Sequence, residues 1–263
     1  MAQMKNAPIK YVIGVVRFPI VTDFENFAIQ IERGVRDRYP AGKDADIAEI
    51  KLQIDEKGVQ VQTDETKVWQ YRSEDFKWAV IVNKNLVGIH TIGYVDHSDF
   101  IERLLHVAEV AATTEGGQVQ LVESVALRYL DLIEPREGES LAQYIDEKVL
   151  PEAIDVPGVR IKEGVTHLQM ETDQGSFLRV TIGRKPPTVY PADLGSQLVI
   201  DNGWHLERPL GDFAIIDADH AKVFSPPVRI DKGVLRDNIF ALRNPIRDVF
   251  DRITTEYALK VWQ

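Results

Sequence analysis

The sequence contains no cysteine. This absence excludes disulfide bonds, thiolate nucleophiles and cysteine-ligated zinc sites, and it leaves the redox compartment open. The N-terminal stretch has no apolar signal segment. No run approaches the roughly 20 apolar residues that a membrane-spanning helix needs. We therefore expect a cytoplasmic protein that has no membrane segment.

Motifs of well-known catalytic chemistry are also missing. We find no GxSxG, GxxxxGK[ST], GxGxxG or HExxH pattern. The 31 basic and 41 acidic residues give a net charge of −10. Because an acidic surface repels phosphate backbones, generic nucleic-acid binding is disfavoured. The sequence predicts no catalytic residue, and any cofactor stays unknown.

Two amphipathic stretches bracket the chain. Apolar residues at helical spacing lie between positions 22 and 35, and again in the final run Asn244–Trp262. Asn244 and Pro245 suit a helix start. A helix that begins near Asp231 is expected to kink or break there. Both amphipathic helices need a flat apolar surface on which to pack.

Between these helices the pattern predicts mostly strands. Runs of β-branched, apolar or alternating residues predict strands at 10–18, 47–54, 59–63, 67–72, 76–82, 86–92, 119–133, 164–172, 177–184, 198–200 and 213–219. Helices are expected at 99–112 and 140–150. The fold class is therefore α+β, with antiparallel sheet and amphipathic helices packed on one face. Residues 1–135 and 136–263 form two similar α+β halves or one continuous domain; both readings stay open.

A polar strand end offers one candidate metal site. Asp217, Asp219 and His220 close the apolar run FAIIDADH, and two carboxylates with an imidazole are suitable ligands for a divalent ion. No recognised ligand spacing supports the site. A polar strand end that turns into a loop is the favoured interpretation.

A basic cluster offers a candidate anion or nucleic-acid site. Arg179, Arg184 and Lys185 lie close together beside a predicted hairpin. They have the charge to contact a phosphate group. A solvated strand face is the favoured alternative.

Aromatic residues offer a candidate groove for a ligand or a protein partner. Trp69, Tyr71 and Trp78 fall on neighbouring predicted strands, and Trp204 lies in an irregular region. Such rings usually pack in the core beneath a helix. The core interpretation is favoured, and a binding groove is the alternative.

The run Arg128-Tyr129-Leu130-Asp131 lies within one predicted strand. Side chains three positions apart on a strand point to opposite faces. Arg128 and Asp131 are therefore expected to serve different neighbours. A buried arginine at this position needs a partner of opposite charge.

Three stretches resemble a sporadically distributed family of functionally uncharacterised bacterial proteins of about this length. They are residues 8–21, which are similar to the opening strand of the family; 126–133, which look like its arginine-tyrosine strand; and 213–220 with the final helix, including Phe250, Ile253, Thr254 and Trp262. Where the family usually has a histidine-aspartate pair, this chain has Asn244-Pro245. The resemblance implies no established activity, and the patchy occurrence of the family fits mobile or defence-associated loci.

Three functions follow as hypotheses. The preferred one is a non-catalytic protein-binding or regulatory protein, accessory to a bacterial defence or mobile locus. Its partner is another protein or a second copy of the chain in a homodimer. The alternatives are a metal-dependent hydrolase that uses the Asp217 strand end, and a nucleic-acid or nucleotide binder.

Overall fold

The structure is a computed structural model that describes residues 6–55, 58–115, 119–151, 157–159, 162–172, 175–191, 193–194 and 204–263; for 43–66 it describes the backbone pairing alone. The strands are β1 (Ile9–Arg17), β2 (Ala41–Asp55), β3 (Gly58–Arg72), β4 (Trp78–Asn83), β5 (Leu86–Thr91), β6 (Leu121–Ile133), β7 (Gly164–Glu171), β8 (Phe177–Arg184) and β9 (Ala214–Arg229). The helices are α1 (Phe24–Val35), α2 (His97–Ala112), α3 (Lys232–Ile253) and α4 (Glu256–Trp262). The strand predicted at 198–200 lies outside the described residues.

Within the described residues, the nine strands form one antiparallel sheet in the order β2-β3-β4-β5-β1-β6-β9-β8-β7. This arrangement confirms the predicted antiparallel α+β fold. β6 pairs with β1 on one side and with β9 on the other. The sheet therefore continues through both of the halves proposed from the sequence.

Helices α1, α2 and α3 cover one face of the sheet and enclose the main core. Asp23 caps the N-terminus of helix α1, since its side chain accepts a hydrogen bond from the backbone N–H of Asn26. Gly14 in β1 lets α2 pack closely, because an added Cβ would lie 2.8 Å from the Leu104 side chain. We call this covered side the helix face.

The C-terminal helices begin near Asp231 and end at Trp262, as the sequence predicted, but they divide at another position. Helix α3 starts after Asp231 and runs through Pro245 to Ile253, so the helix start predicted at Asn244 is wrong. Buried Leu242 and Ile246 on either side of the proline pack on the sheet and stabilise the helix despite one lost backbone hydrogen bond. The helix predicted at 140–150 is also wrong, since only Leu141–Gln143 form a single 3₁₀ turn. None of the helices in the described part of the chain is long and apolar enough to cross a membrane.

The opposite face of the sheet carries a second apolar cluster under an irregular segment. We call residues 185–191, 193–194 and 204–213 the strap, and this side of the sheet the strap face. Val189, Leu194 and Trp204 of the strap pack on apolar side chains from the central strands. The same face of β7 and β8 lies outside this cluster, where Val165 and Phe177 are more than half exposed. The strap face is therefore covered at its centre and open at the β7 end.

Candidate functional site

A single row of paired residues crosses the strap face of the sheet. Directly opposed residues on neighbouring strands share a face. The register therefore aligns Arg72, Ala79, His90, Ile13, Arg128, Asp219, Arg179 and Gln169, in that order, from β3 to β7. We call these residues the polar row. It runs beneath the strap at its centre and reaches the open end of the sheet at β8 and β7.

Arg128 is the charged centre of the polar row. Its Nε donates to Oδ1 of Asp217 at 2.7 Å and its Nη2 to Oδ2 at 2.7 Å, which is a bidentate pair. Its Nη1 also donates to Oδ2 of Asp193 at 2.6 Å. Burial opposes the charge of Arg128, but the bonds to the two carboxylates outweigh burial and raise its pKa. Because Asp193 belongs to the strap, this bond ties the strap to the sheet.

A chain of hydrogen bonds fixes the tautomer of buried His90. Arg72 donates to the amide oxygen of Gln70 at 2.9 Å, so the Gln70 amide nitrogen faces Nε2 of His90, at 2.9 Å. Since an amide N–H can only donate, Nε2 accepts and Nδ1 carries the proton. Nδ1 then donates to the Tyr11 hydroxyl at 2.9 Å. Burial lowers the pKa of His90 to about 3, so the ring is neutral.

The strap closes over this chain through Trp204. The centroids of the Trp204 and His90 rings lie 4.5 Å apart, and Tyr11 packs edge-on at 6.3 Å. The indole N–H donates to the backbone carbonyl of Phe76. Trp204 is only 3% exposed. The central part of the polar row is thus sealed, and its role there is to hold the strap on the sheet.

Acid is expected to destabilise the protein through His90. The pKa of the ring is about 3 in the fold and 6.5 in the unfolded chain. This group therefore contributes stability that is complete above pH 6.5 and is lost as the pH falls towards 3. We expect the stability difference between wild type and His90→Gln to shrink by about 1.4 kcal/mol per pH unit between pH 6 and pH 4. Urea unfolding at several pH values measures this difference, and a difference independent of pH would contradict the assignment.

The polar row ends in a shallow pocket at the open end of the strap face. Arg179 donates to Asp219 across the β8–β9 pair at 2.9 Å. Burial raises the pKa of Asp219, and nearby Arg128 and Arg179 act in the opposite direction. A pocket of about 480 Å³ lies there, lined by Gln169, Met170, Glu171, Phe177, Leu178, Arg179, Asp219 and Ala221. This pocket combines an ion pair with an exposed phenylalanine.

Asp131 lies on the helix face of the same strand that carries Arg128. The two residues serve opposite faces, as strand alternation predicts. Asp131 is 4% exposed, and its Oδ1 has no hydrogen-bond partner among the described residues. Burial, and then the negative charge of Asp217, raise its pKa to about 8. The carboxyl group is therefore mostly protonated at neutral pH.

The three residues of the candidate metal site do not converge. Asp217 and Asp219 point to the strap face and are held by arginines. His220 points to the helix face, where Nδ1 donates to the backbone carbonyl of Leu242 at 2.6 Å. No group of three or more histidines and acids suited to a metal ion is found among the described residues. The period of two along a strand separates adjacent residues, and the sequence proposal overlooked this.

His220 instead bonds a residue that the sequence analysis did not select. Because Nδ1 donates to Leu242, Nε2 accepts from the Ser176 hydroxyl at 2.8 Å. This arrangement has the geometry of a serine-histidine dyad. However, Ser176 is 3% exposed and His220 is fully buried. A substrate cannot reach the hydroxyl, so the dyad joins the β7–β8 end of the sheet to α3.

The candidate basic cluster is also dispersed. Arg179 lies on the strap face, while Arg184 lies at the other end of β8 on the helix face and contacts Asp212 at 2.8 Å. Lys185 lies 3.5 Å from the same aspartate. Each cation therefore has an acidic neighbour, and the three do not form one anion site.

The candidate aromatic groove is not formed. Tyr71 and Trp78 are buried in the core of the helix face, and Trp69 packs beside Tyr71 with ring centroids 6.4 Å apart. Trp204 belongs to the strap and is buried against the opposite face of the sheet. These four aromatic side chains pack in the core, which is the interpretation that the sequence favoured. The polar row, and not the aromatic residues, leads to the open surface of the sheet. The sequence feature that could have located this row is a charged residue inside an apolar strand, such as Arg128.

Comparisons of this chain with protein-family models and with curated proteins find no match.

Proposed function

We propose that this chain is a non-catalytic binding protein that docks another polypeptide at the β7 end of its sheet. The observation that carries the proposal is the open edge of β7 beside an uncovered sheet face. Among the described residues, no strand pairs with the outer edge of β7. Such an edge offers backbone N–H and C=O groups to an added strand.

The side chains beside this edge support the same proposal. Val165 is 54% exposed and Phe177 is 60% exposed, and both lie on the strap face. Phe177 lines the pocket, and Val165 lies towards the other end of β7. Arg179 and Asp219 supply polar contacts at the bottom of the pocket. Backbone pairing along the edge would give affinity, and these side chains would give specificity.

The two alternative functions lack comparable support. A metal-dependent hydrolase needs Asp217, Asp219 and His220 on one side of the strand, but they lie on two faces. A nucleic-acid binder needs a basic surface, but Arg179 and Arg184 each have an acidic neighbour.

The setting of the protein is part of the proposal. A bacterial origin and an accessory role at a defence or mobile locus rest on the family resemblance alone. A cytoplasmic location belongs to the same proposal.

Charged substitutions on the open face are expected to abolish docking. Val165→Asp with Phe177→Asp places two carboxylates where apolar contact is needed, and the exposure of both sites leaves the fold intact. The test is affinity purification from the native host, in which a second copy of the chain carries a different tag so that self-association is also detected. We expect the wild type to recover a stoichiometric polypeptide partner. The double variant should recover at least about tenfold less of this partner, as loss of a 1.4 kcal/mol contact implies.

Ile20→Asp is the matched control, since Ile20 is 64% exposed and lies beyond the far end of β1. It should retain the partner at the wild-type level. Recovery of no stoichiometric polypeptide with wild type would overturn the proposal. Equal recovery with the double variant would also overturn it, because the partner would then bind elsewhere.

A further inference from the structure

The β7 edge differs from the edge at the opposite side of the sheet. The sequence of β2 contains two lysines and four acidic residues, which discourage pairing with another strand. The sequence of β7, GVTHLQME, contains one acidic residue and no lysine, arginine or proline. The β7 edge therefore lacks the usual features that prevent strand addition.

We infer that a second copy of this chain occupies the β7 edge, with the two β7 strands antiparallel about a two-fold axis at Gln169. This inference rests on the proposed function and names its partner. A two-fold axis normal to the sheet places residues of the same face opposite each other. Odd-numbered residues of one β7 strand must therefore lie opposite odd-numbered residues of the other, and even-numbered residues opposite even-numbered ones.

Charge complementarity between the two β7 strands favours one of the allowed registers. With the axis at Gln169, His167 of each copy lies opposite Glu171 of the other, which forms two symmetric pairs of imidazole and carboxylate. An axis at Leu168 instead puts Glu171 opposite Val165, and an axis at His167 puts the two imidazoles together. The Gln169 register is thus the one of these three that pairs the single acid of β7 with its single histidine.

The same register matches both faces of the sheet. On the helix face it pairs Leu168 with Met170 of the second copy, and both side chains are only partly buried in one copy. On the strap face it joins the two polar rows through Gln169, so that Arg179 and Asp219 repeat symmetrically on either side. The pocket of each copy then lies beside the new strand pair.

Single-cysteine crosslinking tests this register, because the chain has no cysteine of its own. In the Gln169→Cys variant the two Cβ atoms would lie about 4.5–5.5 Å apart, within reach of a disulfide after small adjustment. In the Val165→Cys variant they would lie about 27 Å apart, eight residues along the strands. Under mild oxidation we expect at least about tenfold more covalent dimer from the first variant than from the second.

Sedimentation velocity of the wild type over a concentration series completes the test. We expect a reversible shift from monomer to dimer, weakened about tenfold by Glu171→Lys. Glu163→Lys, with the same charge change outside β7, should leave it unchanged. Equal crosslinking of the two cysteine variants, or a wild-type monomer at every concentration, would overturn the inference. If such a monomer still binds another host protein through Val165 and Phe177, the proposed function stands and the second copy is excluded.

Discussion

Asp131→Asn is expected to make the protein more stable in alkaline solution, by roughly 3 kcal/mol at pH 8.5. The pKa of Asp131 is about 8 in the fold and 3.8 in the unfolded chain. Folding therefore binds a proton between these values, and the stability contributed by the protonated group is lost progressively as the pH rises from about 4 to 8. The shift sets an upper bound of roughly 5–6 kcal/mol. An asparagine amide still lacks a full set of hydrogen bonds there, which reduces the gain by about 1–3 kcal/mol.

Urea unfolding from pH 4 to pH 9 measures this effect. The advantage of Asp131→Asn should grow with pH above 4 and level off above 8. The exposed residue Asp248 provides the control, and Asp248→Asn should follow the wild-type curve. Parallel curves for wild type and Asp131→Asn would show that the buried carboxyl group is ionised at neutral pH.

Arg128→Met is expected to lower the free energy of unfolding by about 3–5 kcal/mol. The substitution leaves the 7%-exposed carboxylate of Asp217 without its bidentate partner. It also removes the bonds between Arg128 and Asp193 and so weakens the hold of the strap on the sheet. The double variant Arg128→Met with Asp217→Leu should recover part of the loss, since it removes both buried charges.

The matched control is the next ion pair along the polar row. Arg179 bonds Asp219 at 2.9 Å, but its side chain is 49% exposed. Arg179→Met should therefore cost only about 0–1 kcal/mol. Equal costs for the two methionine variants in urea unfolding would contradict the view that burial gives the Arg128 pair its importance.

His90 and Asp131 together predict the shape of the pH profile. Between about pH 4 and pH 6.5, unfolding lets His90 bind a proton while Asp131 releases one. These two contributions cancel, so the pair predicts no slope in that range. Stability falls on the acid side through His90 and on the alkaline side through Asp131. His90→Gln and Asp131→Asn each remove one of the two contributions, so each variant alone should show a stability that changes with pH between about pH 4 and pH 6.5.

Local patterns predicted the fold class, because alternation and helical spacing report which side of an element is buried. They located α2, whose N-cap in the structure is Asp96, and most strands. They failed at Pro245, where packing of α3 on the sheet outweighs one missing hydrogen bond. They also failed at 140–150, where a single turn forms instead of a helix.

The polar row was not predictable in the same way. Arg128 and Asp219 are 91 positions apart in the chain and become neighbours only through the β6–β9 register. Strand order depends on contacts between distant segments, which periodicity does not report. The opposed faces of Arg128 and Asp131 were predictable, since they depend on alternation within one strand. The partners Asp217 and Asp193 were not.

Hydrogen exchange of the β7 amides, followed by NMR in dilute and concentrated protein, tests the central claim most directly. In dilute protein we expect alternate β7 amides to exchange rapidly, because they face outward at an open edge. They should become protected at high concentration or with a bound partner, while the amides of β1 stay protected throughout. If the β7 amides of dilute protein are all as slow as those of β8, the edge is already covered, and docking at β7 is ruled out.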